Sequence, residues 1–408
     1  MLCAMRLNFL MNWRHADPGK LVFAIALGLS LGYVVALGGM FYSHIWILDA
    51  RGHPVLDDFV AFWTAGHQAL KVAAAAAYNV PLEHAAEVAT IGHSFSGTLG
   101  WSYPPVFLFV AVLLASLPYT SAFLLWSAVC LAAYGSVIAV IARRPVAFLV
   151  ACAAPWVLTA LMPGQNGFLT AALVGAVLLC LEKRPALAGI LLGLLSYKPQ
   201  FGILFPLVLA AAGYWRTFAW ACVGALAVNL LAGATFGFDT FDAFLRALSG
   251  TTQSHLAHAG VGGNKLQSIY GLAHSMGVAG TAGWALQAVF SIAVTLAVVA
   301  YWRSAASFVL KAAVLAAAIP LVTPYVFAYD LPVLAVACAF LFKHRTFDRV
   351  ELWLLASTVP CVFAYLWIPC PSAFFAALAV AAMSARRALA GGALMPQFPG
   401  AVPQLRLS

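Results

Sequence analysis

The stretch RPALAGILLGLLSYKPQFGILFPLVLAAAGYWRTFAWACVGALAVNLLAGATF, residues 184–236, decides the fold class. After Arg184 its only charged residues are Lys198 and Arg216, and they separate apolar runs at about 185–197, 200–214 and 217–236. Such a segment has no polar face to offer water. In a bilayer each run must satisfy its own backbone hydrogen bonds, which a helix does. The same pattern extends outward at about 20–48, 121–142, 145–161, 168–182, 281–302, 307–323, 331–343, 351–368 and 371–386. Over all 408 residues the chain is 64% apolar and 8% charged. Soluble domains carry roughly 25% charged residues. These values exclude a cytosolic enzyme, a secreted domain, a disordered chain and a nucleic-acid binder. They predict an all-α polytopic membrane protein embedded in a lipid bilayer.

The net charge of +9 is distributed as membrane orientation requires. Arg6, Arg14 and Lys20 precede the first run, which is too long for a signal-peptide core and lacks a cleavage site. It therefore reads as an uncleaved first span with a cytoplasmic N-terminus. Arg143, Arg144, Lys183, Arg184, Arg216, Arg303, Lys311, Lys343, Arg345, Arg349, Arg386 and Arg387 then fall on the inner side. Eight of the 12 acidic residues and eight of the ten histidines fall outside. Pro104–Pro118 is too short to cross and is expected to be re-entrant or to lie at the outer face. The expectation is about twelve crossings in one domain, residues 1–390. It has outer loops at 49–119 and 237–280, and a disordered cytoplasmic tail at 391–408 rich in Gly and Pro. Several runs fall short of the roughly 20 residues that span a bilayer. That suits a protein with a cavity or a locally thinned membrane.

Polar residues at membrane depth are costly and mark function, and here they gather on the outer side. LDDFVAFWTAGHQALK, residues 56–71, reads as an amphipathic helix on the membrane surface, with Asp57 and Asp58 at its N-terminus. Either aspartate could cap the helix, and one could be an ionised general base. A second surface helix over 81–91 carries Glu83 and Glu87, read as a solvated face. Lys198 lies on the outer side against the charge rule. It could snorkel to headgroups or hold a lipid phosphate. Arg246, His255, His258, Lys265 and His274 in the second outer loop could also meet an anion. Tyr103, the turn residues Gln165 and Asn166, and Tyr325, Tyr329 and Asp330 complete the outer polar set. No HExxH, GxGxxG, Walker or GxSxG motif occurs, and the eight cysteines form no CxxC pair. They read as packing residues, with a Cys361–Cys370 bridge the one speculative pairing. No metal or cofactor is expected.

Five segments occur in an order that resembles glycosyltransferase family 87. They are DFVAFWTAG (Asp58–Gly66), YPPVF (Tyr103–Phe107), GQNGFLTAAL (Gly164–Leu173), RPALAGILLGLLSYKPQFG (Arg184–Gly202) and TPYVFAYDLP (Thr323–Pro332). The resemblance covers roughly residues 50–335. It implies a GT-C-type fold with a catalytic aspartate in the first extracytoplasmic loop. It also implies a polyprenyl-phosphate sugar donor, mannose by the family's habit, and a glycan or glycolipid acceptor. The family's Asp precedes an aromatic-x-x-aromatic pattern, which matches Asp58 better than Asp57. Its Lys-Pro and Tyr-Asp pairs match Lys198-Pro199 and Tyr329-Asp330.

On this basis Asp58 is the expected base in an inverting displacement. Lys198 is the expected phosphate ligand, with Arg246, His255 and His258 in support. Asp57, Tyr103, Gln165, Asn166, Tyr325, Tyr329 and Asp330 are the expected substrate contacts. The expected place is a plasma (inner) membrane, with the site extracytoplasmic. Two alternatives remain: a GT-C transferase using another lipid-phosphate sugar, and a transporter or flippase. The latter predicts polar residues in mid-span, where Asn229 is the clearest example. A membrane subunit without catalysis is a third.

Overall fold

The computed structural model describes residues 18–97, 99–257, 265–278 and 280–390, with backbone alone for 249–257. Among these residues the fold is helical, and the only β pairing is two isolated bridges, Trp46 with Leu48 and Leu48 with Pro54. Arg6 and Arg14, His258 and the expected tail at 391–408 lie outside the described residues.

Five helices are long and apolar enough to cross a membrane: Gly19–Tyr42, Tyr119–Ala142, Trp215–Phe236, Gly280–Arg303 and Ala373–Ala390. At 1.5 Å per residue, the 24-residue Tyr119–Ala142 helix is about 36 Å long, enough for a hydrocarbon core of about 30 Å. In chain order the first is α1 (Pro18–Tyr42), the second α5, the third α12, the fourth α15 and the last α19. Shorter apolar helices lie between them. These include α4 (Leu108–Ala115), α8 (Gly167–Cys180), α9 (Pro185–Leu194), α10 (Pro199–Gly202), α11 (Leu204–Ala211), α16 (Phe308–Ala318) and α17 (Val333–His344). The apolar runs do not all become continuous helices. That at 145–161 splits into α6 (Val146–Cys152) and α7 (Trp156–Leu161), because Pro155 has no N–H to continue the ladder.

Helices α9 and α12 pack closely along their length. A Cβ added at Gly193 would lie 2.5 Å from the Ala225 nitrogen, and one at Gly189 2.6 Å from the Thr217 carbonyl. Small residues let the backbones approach where lipid gives no hydrophobic drive between helices. The lipid-facing side of α1 is apolar and open, with Val34 67% and Val35 73% exposed.

The first outer region departs from the surface-helix expectation. Helix α2 (Asp58–Lys71) is capped by Asp57, whose carboxylate accepts from the Phe59 N–H. Phe59, Val60, Ala61, Phe62, Thr64 and Ala65 are all buried, so its first turns are enclosed on every side. Only the last turn, with Leu70, reaches the exterior. The enclosing element is α4, so close that a Cβ at Gly66 would sit 2.1 Å from the Ala111 carbonyl oxygen. A 3-10 turn at Pro105–Phe107 leads into α4, and the Trp63 indole donates to the Leu117 carbonyl beyond it.

Helix α3 (Val80–Ile91) corrects a second expectation. Glu83 and Glu87 are 1% and 0% exposed, not solvated. α3 lays this face on α2, where the Thr64 hydroxyl and Glu83 Oε1 are 2.6 Å apart. The Leu99 and Gly100 N–H groups donate to Glu87. Burial drives the Glu83 carboxyl up to about 8, against the Thr64 hydrogen bond and with help from Glu87. Cys361 and Cys370 are free thiols, so the bridge is not formed.

Several of the basic residues expected on the inner side lie near one another, at the Lys343 end of α17. Lys343 lies within electrostatic reach of Arg143, Glu182 and Lys183. Beside them, buried Arg387 donates twice to Glu351 at 2.6 Å, and to the carbonyls of Leu341, Arg345 and Thr346. This ties the start of α18 (Arg349–Ala364) and the end of α19 to the C-terminal carbonyls of α17.

Candidate active site

Five segments far apart in sequence converge on one polar cluster inside apolar walls. Asp58 opens α2, so its carboxylate stands at a helix N-terminus, where free N–H groups favour a negative charge. Gln165 Nε2 donates to Asp58 Oδ2 at 2.9 Å. Gln165 Oε1 accepts from the Tyr103 hydroxyl at 3.0 Å and from the Asn166 N–H at 3.3 Å. Lys198 Nζ donates to Asn166 Oδ1 at 2.7 Å and pairs with Asp330. Asp330 also accepts from the Phe327 N–H at 3.0 Å. A continuous chain of polar contacts thus runs from Asp58 through Gln165, Asn166 and Lys198 to Asp330.

Local sequence explains each placement. Lys198 precedes Pro199, which disfavours helical backbone at the preceding residue. Its φ of −138° and ψ of 67° end the 3-10 turn Leu195–Tyr197 before α10 begins. The break turns the lysine inward, to 4% exposure, above the ring of Phe201 at 5.0 Å and that of Tyr329 at 5.5 Å. The snorkelling reading is therefore corrected: the ammonium points into the protein and is held by a carboxylate. Asp330 ends a 3-10 turn at Ala328–Asp330 and is fully buried.

The turn bearing Gln165 and Asn166 needs Gly164, whose φ is +65°. A Cβ there would come within 2.9 Å of the Phe59 Cβ, so the turn sits directly on α2. Gly167, next along, faces the Tyr329 carbonyl, which an added Cβ would approach to 1.8 Å. Two indoles hold the turn from outside, Trp46 donating to the Met162 carbonyl and Trp126 to the Gly164 carbonyl, each at 2.9 Å.

The two aspartates have separate surroundings. Asp57 accepts from the Phe59 N–H at 3.0 Å and from the Tyr119 hydroxyl at 3.3 Å. Burial, and next the adjacent Asp58, push its carboxyl well above the usual range, while those two donors oppose the rise. Asp57 therefore caps the helix, and Asp58 faces the cluster. Asn166 is fully buried, and its Nδ2 lies beside the Tyr103 hydroxyl without a well-formed hydrogen bond.

Other expected residues lie apart from this chain of contacts. Tyr325 packs its ring 6.2 Å from Trp284, and its N–H bonds the Thr323 hydroxyl. Arg246 is exposed on α13 (Asp239–Ala257), and the same helix holds His255 by its backbone. Phe244 of α13 meets the Tyr78 ring at 5.8 Å, which puts the helix over the first outer region. Lys265 is exposed, and His274 stacks on Tyr270 at 6.3 Å.

Two tyrosines join the site that the sequence did not single out. Tyr365, just beyond α18, lies within electrostatic reach of Asp58. Tyr197 stacks on Phe107 at 4.8 Å, and its hydroxyl lies 2.6 Å from that of Thr170. Tyr197 adjoins Lys198, which was a usable signal. Tyr365 had none, being one aromatic among many at a span end.

An apolar groove of about 270 Å³ runs between α9, α11 and α12. Ser196 and Pro199, which flank Lys198, line it together with Leu192, Gly193 and Phe218.

Comparison with known proteins gives one match, to the family described as glycosyltransferase family 87, over residues 101–324. That is more than half of the chain. It includes Tyr103, Gln165, Asn166 and Lys198, and leaves Asp58 and Asp330 on either side. No curated protein and no solved structure matches.

Proposed function

The chain belongs to glycosyltransferase family 87, and from that premise we propose that this membrane glycosyltransferase moves mannose from polyprenyl phosphate to an acceptor hydroxyl. The observation that carries the reading is the line of contacts from Asp58 to the Lys198–Asp330 pair. It brings a carboxylate and a cation together, and the segment that carries Lys198 also borders an apolar groove that would take a lipid chain.

In this reading the acceptor oxygen attacks the anomeric carbon from the face opposite the phosphate. Its proton passes to Asp58. The bond from the anomeric carbon to the phosphate oxygen breaks, and its electron pair leaves on the polyprenyl phosphate. A single displacement inverts the centre, so a β-linked donor gives an α-linked product. Lys198 has three N–H donors, two of them engaged by Asn166 and Asp330. The third, with the unpartnered amide of Asn166, would stabilise charge growing on the leaving phosphate. Arg246 and His255 on α13 would draw the anionic headgroup from the outer side. Tyr103 and Tyr329, both near Asp58 and Asp330, would border the sugar and acceptor. The working face would be extracytoplasmic, in a plasma (inner) membrane.

The test is transfer of labelled mannose from polyprenyl-phosphate-mannose to a lipid and glycan extract by protein in nanodiscs. Asp58→Asn should lower turnover by a factor on the order of 10²–10⁴ and leave folding intact, since an amide oxygen can still accept from Gln165. Wild-type transfer from a glucosyl or arabinosyl lipid phosphate, with none from the mannosyl donor, would overturn the sugar assignment. Full turnover in Asp58→Asn would overturn the base.

A further inference from the structure

We propose that Gln165 is a positioning residue for Asp58: its side-chain amide, locked in one orientation, fixes the rotation of the aspartate carboxylate. The inference rests on the reading of Asp58 as the base.

Hydrogen-bond chemistry fixes the orientation of the amide. A backbone N–H can only donate, so the Gln165 atom facing the Asn166 N–H must be the carbonyl oxygen. That same oxygen accepts from the Tyr103 hydroxyl. The NH₂ group is thereby turned to Asp58 Oδ2, 2.9 Å away, where it needs an acceptor. A flipped amide would set NH₂ against N–H and a carbonyl against a carboxylate, two repulsive contacts at once.

The backbone leaves as little freedom. The Gln165 N–H donates to the Ala160 carbonyl at 3.0 Å. Gly164 rests on Phe59 of the helix that carries Asp58, and the Trp46 and Trp126 indoles hold the carbonyls of the turn. Donor and acceptor of the 2.9 Å bond therefore belong to one rigid unit. The groups facing Asp58 are Asp57 beside it, Tyr103, Tyr329 and Tyr365 within electrostatic reach, and the Lys198–Asp330 pair beyond Asn166. Gln165 is 6% exposed, with both ends of its amide engaged inside the protein. It thus acts through Asp58 and does not itself hold sugar.

The experiment uses the full chain in nanodiscs, labelled with ¹³C-aspartate. The Asp58 carboxylate band is isolated as the difference between wild-type and Asp58→Asn infrared spectra and followed on acidification. Gln165→Met keeps volume and removes the donor, so the midpoint should rise by about one pH unit. Turnover should fall roughly 10–100-fold with KM within about twofold. Gln165→Glu can donate only while protonated, so its turnover should be confined to the pH range where the two carboxyls share one proton, and fall as pH rises above it. A purely structural role would depress both variants alike at every pH. An unchanged midpoint in Gln165→Met overturns the positioning role whatever the turnover. Near wild-type transfer by Asp58→Asn overturns the base reading, and the proposal with it, even where the midpoint has moved.

Discussion

Lys198 shows what one residue can do at a helix break. Standing before a proline, it cannot extend the helix, and the break aims its ammonium at Asp330. Removing one member of a buried ion pair leaves an uncompensated charge and costs about 3–5 kcal/mol. Lys198→Met should therefore lower the unfolding temperature sharply and abolish transfer. The double variant Lys198→Met with Asp330→Leu should regain most of the stability, since apolar replacements of buried pairs are often neutral, yet remain inactive. Thermal unfolding in detergent and the mannosyl assay read the two effects apart. Full transfer by the double variant would make the pair structural only. A lone lysine inside an apolar run announced itself in the sequence, as did paired aspartates before an aromatic helix. The partnership of Lys198 with Asp330 did not, because 132 residues separate them and Asp330 alone also reads as a helix cap. The division between Asp57 as cap and Asp58 as site residue needed the coordinates of the first turn.

At the scale of elements, α3 against α2 holds a proton in place. The Thr64 hydroxyl lies 2.8 Å from the Val60 carbonyl and 2.6 Å from Glu83 Oε1. The hydroxyl shares its one proton between these acceptors, so its bond to Glu83 only partly opposes the effect of burial on the carboxyl. Burial, with Glu87 nearby, raises the carboxyl to about 8, whereas an unfolded glutamate ionises near 4.5. The resulting stability is complete below about pH 4.5 and declines as pH climbs to about 8, at about 1.4 kcal/mol per unit. Glu87, with His84 at 3.7 Å, is the nearest other titratable pair. Wild-type unfolding temperature should fall between pH 5 and 8, while Glu83→Gln should flatten that slope and be the more stable protein at pH 8. An equal slope in both would place the proton elsewhere. The helices themselves were legible from hydropathy, as was the N-terminus of α2. Enclosure was not. An amphipathic period says that one face is buried, but α4 and the aromatic residues around it bury the other faces too. The same enclosure takes Glu83 and Glu87 out of water.

At the scale of the molecule, Arg143, Lys183, Lys343, Arg345 and Arg387 gather at one end of α17, and Asp330 of the polar cluster precedes its other end. Orientation follows from which end faces the cytoplasm. In a cysteine-free background, Asp49→Cys should react with an impermeant thiol reagent added to intact cells. Lys183→Cys should react only after permeabilisation. The opposite result would invert the molecule and the side on which transfer occurs. Charge bias in loops was legible in the sequence because it needs no tertiary contact. The way runs break into half-length helices was less so, since proline positions and glycine contacts such as α9 on α12 settle it locally.

The brevity of α17 has an electrical consequence. Its 12 residues span about 18 Å, less than the roughly 30 Å of a hydrocarbon core. Were its Lys343 end at the cytoplasmic surface, as the charge bias of the loops predicts, its Asp330 end would fall short of the far headgroups. In the proposed orientation, the leaving phosphate would then release its charge partway down the transmembrane voltage drop. A full crossing is worth about 2.3 kcal/mol per unit charge at 100 mV, so even a fraction is felt in the barrier. Cell polarisation would thereby become a term in the free energy of transfer, which detergent solution removes.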